Sequence, residues 1–235
     1  MAARWRGEGG QHQGARPYQE DSWALKPLPD GSLLAVVADG MGGHAGGATA
    51  SRLVTDAVVK VVEHGRSLAE GLQAANEAVA AGAARKAELA GMGSTLIAAV
   101  VGGDQVRWIS VGDSPFFVVA DGSLERLNAD HSMAPQIDAL VARGVISAEE
   151  GAAHPGRHTL REAVMGQPLT LIDEGARSLP AGARLLLCSD GVHGLGDEDI
   201  VVQSARPVSS LLSAVLAVGN PHQDNVTVIK LERSP

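Results

Sequence analysis

The sequence predicts an α+β domain in which antiparallel strands form the core and pairs of helices cover it. Short apolar runs bounded by turn residues are typical of strands, and many of them are joined by links too short for a crossover. Two long amphipathic patterns follow one another between the first two of these runs. The length of 235 residues and the hydrophobic content of 45% suit one compact domain over residues 1–235.

Six apolar runs, each flanked by turn-forming residues, are predicted as strands. They cover residues 32–38, 95–101, 105–111, 116–120, 184–188 and 225–231. Asp-Gly pairs that begin at Asp30 and Asp121, and Gly-Gly-Asp at residues 102–104, are typical of hairpin connections. Neighbouring strands are therefore expected to be antiparallel, which disfavours a wholly parallel sheet.

Two helices are predicted over residues 47–63 and 67–89. In the first, apolar residues recur every three or four positions and form one apolar face. The second opens with Ser67 and Glu70 at the spacing of a capping box, in which the two side chains satisfy free backbone donors. Consecutive helices with strands on both sides indicate a sheet covered by a helix pair.

The segment 131–167 differs in character from the rest of the chain. It consists mostly of small and polar residues and carries a short helical pattern near residues 135–143. We interpret it as an inserted subdomain, because no low-complexity tract, long linker or internal repeat in the sequence marks off a second domain.

Composition excludes several classes of function. A net charge of -8 disfavours a nucleic-acid partner, which would require clustered Lys and Arg. The single cysteine, Cys188, cannot build a disulfide framework or a multi-thiolate zinc site, so a metal would be held by oxygen or imidazole. No apolar run reaches the roughly 18 residues that span a bilayer, and no signal-peptide pattern is present. We expect a cytoplasmic monomer.

Residues 37–44, Val-Ala-Asp-Gly-Met-Gly-Gly-His, join a predicted strand to a predicted helix and allow two interpretations. A dinucleotide fingerprint would put the Asp39 carboxylate beside a pyrophosphate. It also requires an acid at the end of the next strand, about 20 residues further on, where this sequence has a helical pattern. In a metal site, Asp39 would end the strand as a ligand and the glycines would free the Gly40 carbonyl to join it. Mg²⁺ and Mn²⁺ favour such oxygen ligands.

Recurrence of the same pattern favours the metal site. Asp39, Asp113, Asp190 and Asp224 all lie at predicted sheet edges without basic neighbours in sequence. A single Asp-Gly pair is usually a turn. Four acids at comparable places instead indicate a shared site, in which one carboxylate can bridge two ions.

Six motifs together resemble the metal-dependent protein phosphatases, also called protein phosphatase 2C, of the bacterial type. They are Arg-Pro-Tyr-Gln-Glu-Asp-Ser at 16–22, residues 37–44, Gly-Ser-Thr at 93–95, Val-Gly-Asp-Ser at 111–114, Cys-Ser-Asp-Gly-Val at 188–192 and Asp-Asn-Val-Thr at 224–227. Their order and spacing match from near Gly14 to near Leu231. The resemblance implies a four-layer α-β-β-α sandwich of two antiparallel sheets flanked by helix pairs, with residues 131–167 as a flap.

The implied activity is hydrolysis of phosphoserine and phosphothreonine in phosphorylated proteins, opposing a cognate Ser/Thr kinase. Asp39 would bridge two Mn²⁺ or Mg²⁺ ions and the Gly40 carbonyl would bind the first ion. Asp190 and Asp224 would bind the second. Two cations about 3.5 to 4 Å apart lower the pKa of a shared water, so that a metal-bridging hydroxide attacks phosphorus in line.

Four further residues receive roles from the same resemblance. Glu20 and Asp21 would act mainly through metal-bound waters. Asp113, together with Asp190, would hold a weaker third ion. Arg16 would bind the phosphate, since its planar fork suits two phosphate oxygens.

Two positions depart from the family pattern. Met41 stands where eukaryotic members have the histidine that protonates the leaving oxygen, although bacterial members commonly have this methionine. The general acid is therefore open between a metal-bound water and His44, which also fits an ordinary helix-start residue. Gln19 replaces the usual asparagine and affects the local turn. The alternative function is a catalytically weak or specialised module that regulates one partner protein.

Overall fold

The computed structural model describes residues 5–43 and 45–233, which form 12 strands and six α-helices. The strands are β1 (Trp5–His12), β2 (Ser22–Pro27), β3 (Leu33–Ala38), β4 (Gly40–Met41), β5 (Gly93–Ser94), β6 (Leu96–Gly102), β7 (Gln105–Val111), β8 (Phe116–Ala120), β9 (Ser123–Arg126), β10 (Asp173–Ser178), β11 (Arg184–Cys188) and β12 (Val226–Arg233). The helices are α1 (Ala45–Glu63), α2 (Leu68–Arg85), α3 (Ala134–Ala142), α4 (Ala148–Ala152), α5 (Asp197–Ser204) and α6 (Val208–Ala217). Short 3₁₀ turns cover Ala87–Leu89 and Asp190–Gly194.

The strands form two five-stranded sheets and one short pair, and every pairing is antiparallel, as predicted. One sheet has the order β1-β12-β11-β8-β9 and the other β10-β7-β6-β3-β2, while β4 pairs with β5. The hairpin predicted at Asp121 joins β8 to β9. Asp121 and Gly122 have φ of 51° and 75°, the left-handed values that a two-residue hairpin turn requires.

The two large sheets pack face to face, and each carries helices on its outer face. In β3, Leu33, Ala35 and Val37 point into the core between the sheets. Their neighbours along the strand point into a second core against α1 and α2, because successive side chains of a strand face opposite sides. Both faces of β3 are therefore buried, which explains its continuous apolar run.

A third core covers the outer face of the other sheet. Leu186 and Cys188 of β11 pack there against the apolar side of α6, represented by Leu211 and Val215. Cys188 is buried and carries a free thiol. The layers thus run helix, sheet, sheet, helix, and this confirms the predicted four-layer sandwich.

The capping box predicted at the start of α2 is present. Ser67 Oγ accepts a hydrogen bond from the Glu70 N–H at 3.2 Å, and Glu70 Oε2 accepts one from the Ser67 N–H at 2.9 Å. The helix ends at Arg85, however, so the prediction that it continues to residue 89 was wrong. The chain turns there because Leu89 and Met92 enter the core beneath α1. None of the helices in the described part of the chain is long and apolar enough to span a membrane.

The segment 131–167 contains α3, close to the helix predicted at 135–143, and α4. Backbone hydrogen bonds anchor its far end, where Ser94 and Val164 exchange bonds of 3.1 and 2.9 Å. A bridge between Ser132 and Leu160 closes its base. The segment is thereby held beside β5, at the end of the sandwich where the candidate site lies.

Candidate metal centre

A cleft of about 280 Å³ lies where loops from both large sheets meet. β3 and β7 run in the same direction on either side of β6, so Asp39 and Asp113 leave the same edge of their sheet. In the other sheet, β11 ends and β12 begins at this end, which brings Asp190 and Asp224 to the cleft. The lining consists of Arg16, Glu20, Asp39, Gly40, Met41, Gly42, Gly43, Thr95, Asp113, His158, Leu160, Asp190, Asp224 and Asn225.

Seven of the eight predicted site residues line this cleft. They are Arg16, Glu20, Asp39, Gly40, Asp113, Asp190 and Asp224. The eighth, Asp21, is 6% exposed and lies behind the lining. Met41 lines the cleft as well, whereas His44 lies outside the described residues. Residues as far apart in sequence as Arg16 and Asp224 are thus brought into contact.

The backbone of Asp39 is fixed by the strand that follows the helix pair. Its N–H donates to Thr95 Oγ1 at 3.0 Å, and its carbonyl accepts from the Thr95 N–H at 2.8 Å and from Ser94 Oγ at 3.0 Å. Both Ser94 and Thr95 are almost fully buried. The Asp39 side chain therefore projects from a rigid support at the end of β3.

Gly40 is required by the close approach of two other segments. A Cβ at Gly40 would lie 2.2 Å from the Gly47 carbonyl oxygen and 2.5 Å from the Glu20 carbonyl oxygen. A Cβ at Gly47 would in turn meet Glu20 Oε1 at 2.4 Å. The glycines after Asp39 thus let the start of α1 and the Glu20 segment pack against the cleft floor.

Asp190 and Asp224 are brought together by a tight turn. A Cβ at Gly191 would lie 2.0 Å from the Asn225 carbonyl oxygen, so only glycine lets the turn after β11 lie against the loop before β12. Asp224 Oδ1 accepts from the Asn225 N–H at 2.8 Å, and Asp224 Oδ2 accepts from the Arg16 guanidinium. Arg16 exposes about half of its side chain (52%) and stands at the mouth of the cleft.

Asp21 is held behind the cleft by two buried hydroxyl groups. Its Oδ2 accepts from Thr227 Oγ1 at 2.7 Å and from Ser189 Oγ at 2.8 Å. Burial raises the pKa of Asp21 to about 6, although these two hydrogen bonds oppose the rise, and the charges of Asp190 and Asp224 add to it. Asp21 therefore lies behind the cleft lining, close enough to Asp190 and Asp224 to feel their charges.

Burial, and then repulsion between neighbouring acids, raises the pKa of Asp39, Asp113 and Asp190 too. The pKa of Asp39 lies well above its usual value, mainly through burial and then through the charges of Asp21 and Asp190. The pKa of Asp113 rises to about 7, again mainly through burial, with Asp190 next. Burial and the charge of Asp224 raise the pKa of Asp190. Such a cluster holds its negative charge only at a cost, which a bound cation would remove.

The donor set fits hard divalent cations. Asp21 Oδ1 and Asp190 Oδ1 are buried without a hydrogen-bond partner among the described residues. Within residues 5–43 and 45–233, no three acidic, histidine or cysteine side chains already stand at metal-ligand spacing around one point. Mg²⁺ does not need three such side chains around it, because it usually keeps several waters and binds one or two protein carboxylates.

A family comparison agrees with the fold and with the cleft. Residues 8–226 match the family model described as Protein phosphatase 2C. The chain belongs to this family. The resemblance inferred from the six motifs is thereby confirmed, and a protein phosphatase 2C fold accounts for the two facing sheets and the outer helices.

Bacterial phosphatases are among the proteins that this chain is similar to. The chain is 37% identical over 213 residues to the serine/threonine protein phosphatase PstP of Mycobacterium tuberculosis. This match covers 85% of this chain but only 40% of the length of PstP. It is 30% identical to the serine/threonine phosphatase stp of Listeria monocytogenes, with 93% of this chain and 91% of that protein covered. The solved PstP catalytic domain in complex with two manganese ions superposes with a TM-score of 0.80 at 30% identity, covering 100% of both chains.

Several site residues were missed by sequence reasoning. Asn225 joins three segments, because its amide donates to the Gln13 and Tyr18 carbonyls at 2.7 and 2.9 Å and its Oδ1 accepts from the Glu20 N–H at 2.7 Å. His158 reaches the cleft from the segment 131–167. Asn225 lies inside the motif at residues 224–227, so its position next to Asp224 could have indicated a role in the site. Nothing in the sequence singled out His158.

Proposed function

We propose that this protein is a metal-dependent serine/threonine phosphatase that hydrolyses phosphoserine and phosphothreonine in phosphorylated proteins. The observation that carries the proposal is the cleft in which acids from both sheets lie beside the Arg16 guanidinium. Carboxylates alone would repel a phosphate dianion, so cations must join them before substrate binds. Family membership and the manganese ions of the PstP catalytic domain support the same chemistry.

The acids would hold two Mn²⁺ or Mg²⁺ ions. We assign the bridging position to Asp39, the first ion to the Gly40 carbonyl and the second ion to Asp190 and Asp224. When bound, such ions supply Lewis acidity, which lowers the pKa of water and offsets charge on phosphoryl oxygens. The rigid backbone of Asp39 suits it to the central position.

The remaining acids would support this pair. Glu20 lines the cleft and Asp21 lies behind it, so both would act on the water shell of the ions. Asp113, with Asp190, would hold a weaker third ion. The raised pKa of Asp113 supports the weaker binding of this ion. A carboxylate with a high pKa must release a proton before it binds a cation, and this release lowers its affinity for the cation.

Arg16 would orient the phosphoryl group. Its guanidinium spends one Nη nitrogen on Asp224 and keeps further donors of its planar fork for two phosphate oxygens. Met41 lines the same cleft, but a thioether has no proton to give. The leaving oxygen would therefore take its proton from water or from a nearby imidazole such as His158.

The segment 131–167 would serve as a flap over the cleft. His158 and Leu160 place it against the acids, and the bridge of Leu160 to Ser132 ties it at its base.

We also propose a cytoplasmic monomer that opposes a cognate Ser/Thr kinase in signalling. Fractionation, light scattering and co-expression with kinases of the same organism test these three points.

Hydrolysis assays test the proposed activity. The purified chain should hydrolyse p-nitrophenyl phosphate and phosphothreonine peptides with Mn²⁺ or Mg²⁺, and chelation with EDTA should stop the reaction. Asp39→Ala should be inactive, whereas Asp121→Asn should match the parent. Asp121 lies in an exposed hairpin, and asparagine can adopt the left-handed backbone conformation of this position. Well-folded parent protein without turnover in either cation would refute the proposal.

A further inference from the structure

Arg126 lies at the end of β9, between the acid cleft and the start of the segment 131–167. Its side chain is 24% exposed, and all three guanidinium nitrogens are engaged. Nη2 donates to the Asp113 carbonyl oxygen at 2.7 Å, Nη1 to Asp130 Oδ2 at 3.1 Å and Nε to Asn128 Oδ1 at 3.2 Å. One side chain thus joins the backbone that carries Asp113 to the residue that precedes the segment.

The loop that carries Asp113 is tied to the same region by further bonds. The His131 N–H donates to the Gly112 carbonyl at 3.1 Å, and the Gly112 N–H donates to His131 Nδ1 at 3.2 Å. The Asn128 amide donates to the Ser114 carbonyl at 3.0 Å. Gly112 has φ of 102°, and its glycine avoids a 2.6 Å clash with Thr95, so the loop has a single tightly specified course.

These bonds continue to the central acid of the cleft. Ser114 Oγ and Thr95 Oγ1 form a hydrogen bond of 2.8 Å, and Thr95 Oγ1 accepts from the Asp39 N–H. Ser114 and Thr95 are almost fully buried, so solvent does not compete for them. A continuous hydrogen-bond network, buried at Ser114 and Thr95, therefore runs from Arg126 to Asp39.

We propose that Arg126 is a positioning residue that sets the Asp113 carboxylate relative to Asp190 and couples it to the start of the segment 131–167. The proposal rests on the proposed function, in which Asp113 and Asp190 bind the weaker third ion. Arg126 does not line the cleft and acts through Asp113 and Asp130. Its planar fork meets three acceptors at fixed angles, which the single ammonium of lysine does not reproduce.

Charge and position make different predictions. If Arg126 acts by its positive charge near Asp113, Arg126→Lys should behave like the parent. If it acts by position, Arg126→Lys should weaken the third ion nearly as much as Arg126→Gln does. Arg177→Gln is the matched control, because Arg177 pairs with Glu125 next to Arg126 in an exposed ion pair of 2.6 Å.

Calorimetric titration of the 235-residue chain with MnCl₂ is the test, with thermal melting to verify folding. Arg126→Lys should weaken the weaker Mn²⁺ step by about tenfold or more, as support residues of metal sites typically do, and leave the tighter step unchanged. In the Asp113→Asn background, which removes the weaker step, Arg126→Lys should change nothing further. For p-nitrophenyl phosphate at fixed Mn²⁺, kcat should fall and KM should stay constant.

Several results would overturn the positioning role. They are a parent titration without a weaker step, equal shifts of both steps, a lysine variant that binds like the parent, and an effect of the same size in Arg177→Gln. Should Arg126→Gln fail to fold, Asp130→Asn, which loosens the guanidinium without removing it, gives the same readout with a smaller shift. Because the titration measures binding, it judges Arg126 even if the parent proves inactive, which would refute the proposed function instead.

Discussion

Asp113→Asn should stabilise the protein in EDTA, where no metal is bound, although it removes a carboxylate from the candidate site. Asparagine keeps the shape of aspartate but not its charge. Asp113 is 6% exposed. Burial, and then the charges of Asp190 and Asp130, raises its pKa from 3.8 to about 7. In EDTA at pH 8, the folded parent must therefore hold a charge that its surroundings disfavour.

The rise in pKa sets the size and the pH dependence of the effect. A change from 3.8 to about 7 corresponds to about 4 kcal/mol at most. Relaxation around the charge and the need to satisfy the new amide reduce the expected gain to about 1 to 3 kcal/mol. Because the folded pKa is the higher one, the contribution of Asp113 to stability is complete below about pH 4 and is lost as the pH rises to about 7.

Urea unfolding in EDTA between pH 5 and pH 8.5 measures this difference. The free energy of unfolding of Asp113→Asn should exceed that of the parent by an amount that grows with pH and levels off above about pH 7. Asp121→Asn, on the exposed hairpin, should follow the parent at every pH. A variant that is less stable than the parent by the same amount at pH 5 and pH 8.5 would refute the reasoning.

Three further variants test other parts of the structure. Asp190→Asn should lose most activity and also lower the Mn²⁺-dependent rise in Tm, and an unchanged rise would show that this acid is not a ligand. Thr227→Val removes one hydrogen bond to buried Asp21 and should cost about 1 to 3 kcal/mol of unfolding free energy, measured with urea. A cost below about 0.5 kcal/mol would argue against that bond. Ser67→Ala should cost about 1 kcal/mol, since it breaks the capping box with Glu70, and an equal loss in a variant that already lacks Glu70 would contradict this.

Most of the strands that were predicted from the sequence are largely buried on both faces, whereas two of the missed ones, β1 and β10, contain glycines imposed by packing. In β1, Gly9 faces the Trp23 ring, which a Cβ would approach to 2.5 Å. In β10, Gly175 lies on the Trp108 ring, where a Cβ would come within 2.2 Å. An aromatic ring thus fills the space of the missing side chain, from the facing sheet at Gly9 and from the paired strand at Gly175. Such glycines look like loop residues in sequence because their partners lie far away in the chain.

The second helix pair shows a different limit. α6 has apolar residues at Val208, Leu211 and Val215, a helical spacing that was available in the sequence. α5 has no comparable pattern and begins with three acidic residues at 197–199. Only the family resemblance predicted helices on this sheet. Short helices of this kind are stabilised by packing and capping, so their periodicity is a weak signal.

The position of the acids at one cleft could be predicted, but the residues that hold them there could not. Asp39 and Asp190 follow predicted antiparallel strands, and their repeated Asp-Gly pattern indicated a common edge. Thr95 supports Asp39 from 56 positions away, and Asn225 supports Glu20 from 205 positions away. Such contacts depend on which strands are neighbours, and hydrophobic patterns along the chain do not specify that order.

The acids reach the cleft from two different sheets, which links metal binding to the stability of the whole sandwich. Asp39 and Asp113 extend from one sheet, and Asp190 and Asp224 from the other, so the cleft forms only when the sheets face each other. Burial of Asp39, Asp113 and Asp190, and then repulsion among the acids, opposes that packing, as the raised pKa values of these three residues indicate. Cations that bind only the folded state would add about 2.7 kcal/mol of stability at 100 times their Kd. The ions proposed for catalysis would thus also offset the electrostatic cost of bringing the acids together, so that chelation should impair stability and activity in parallel.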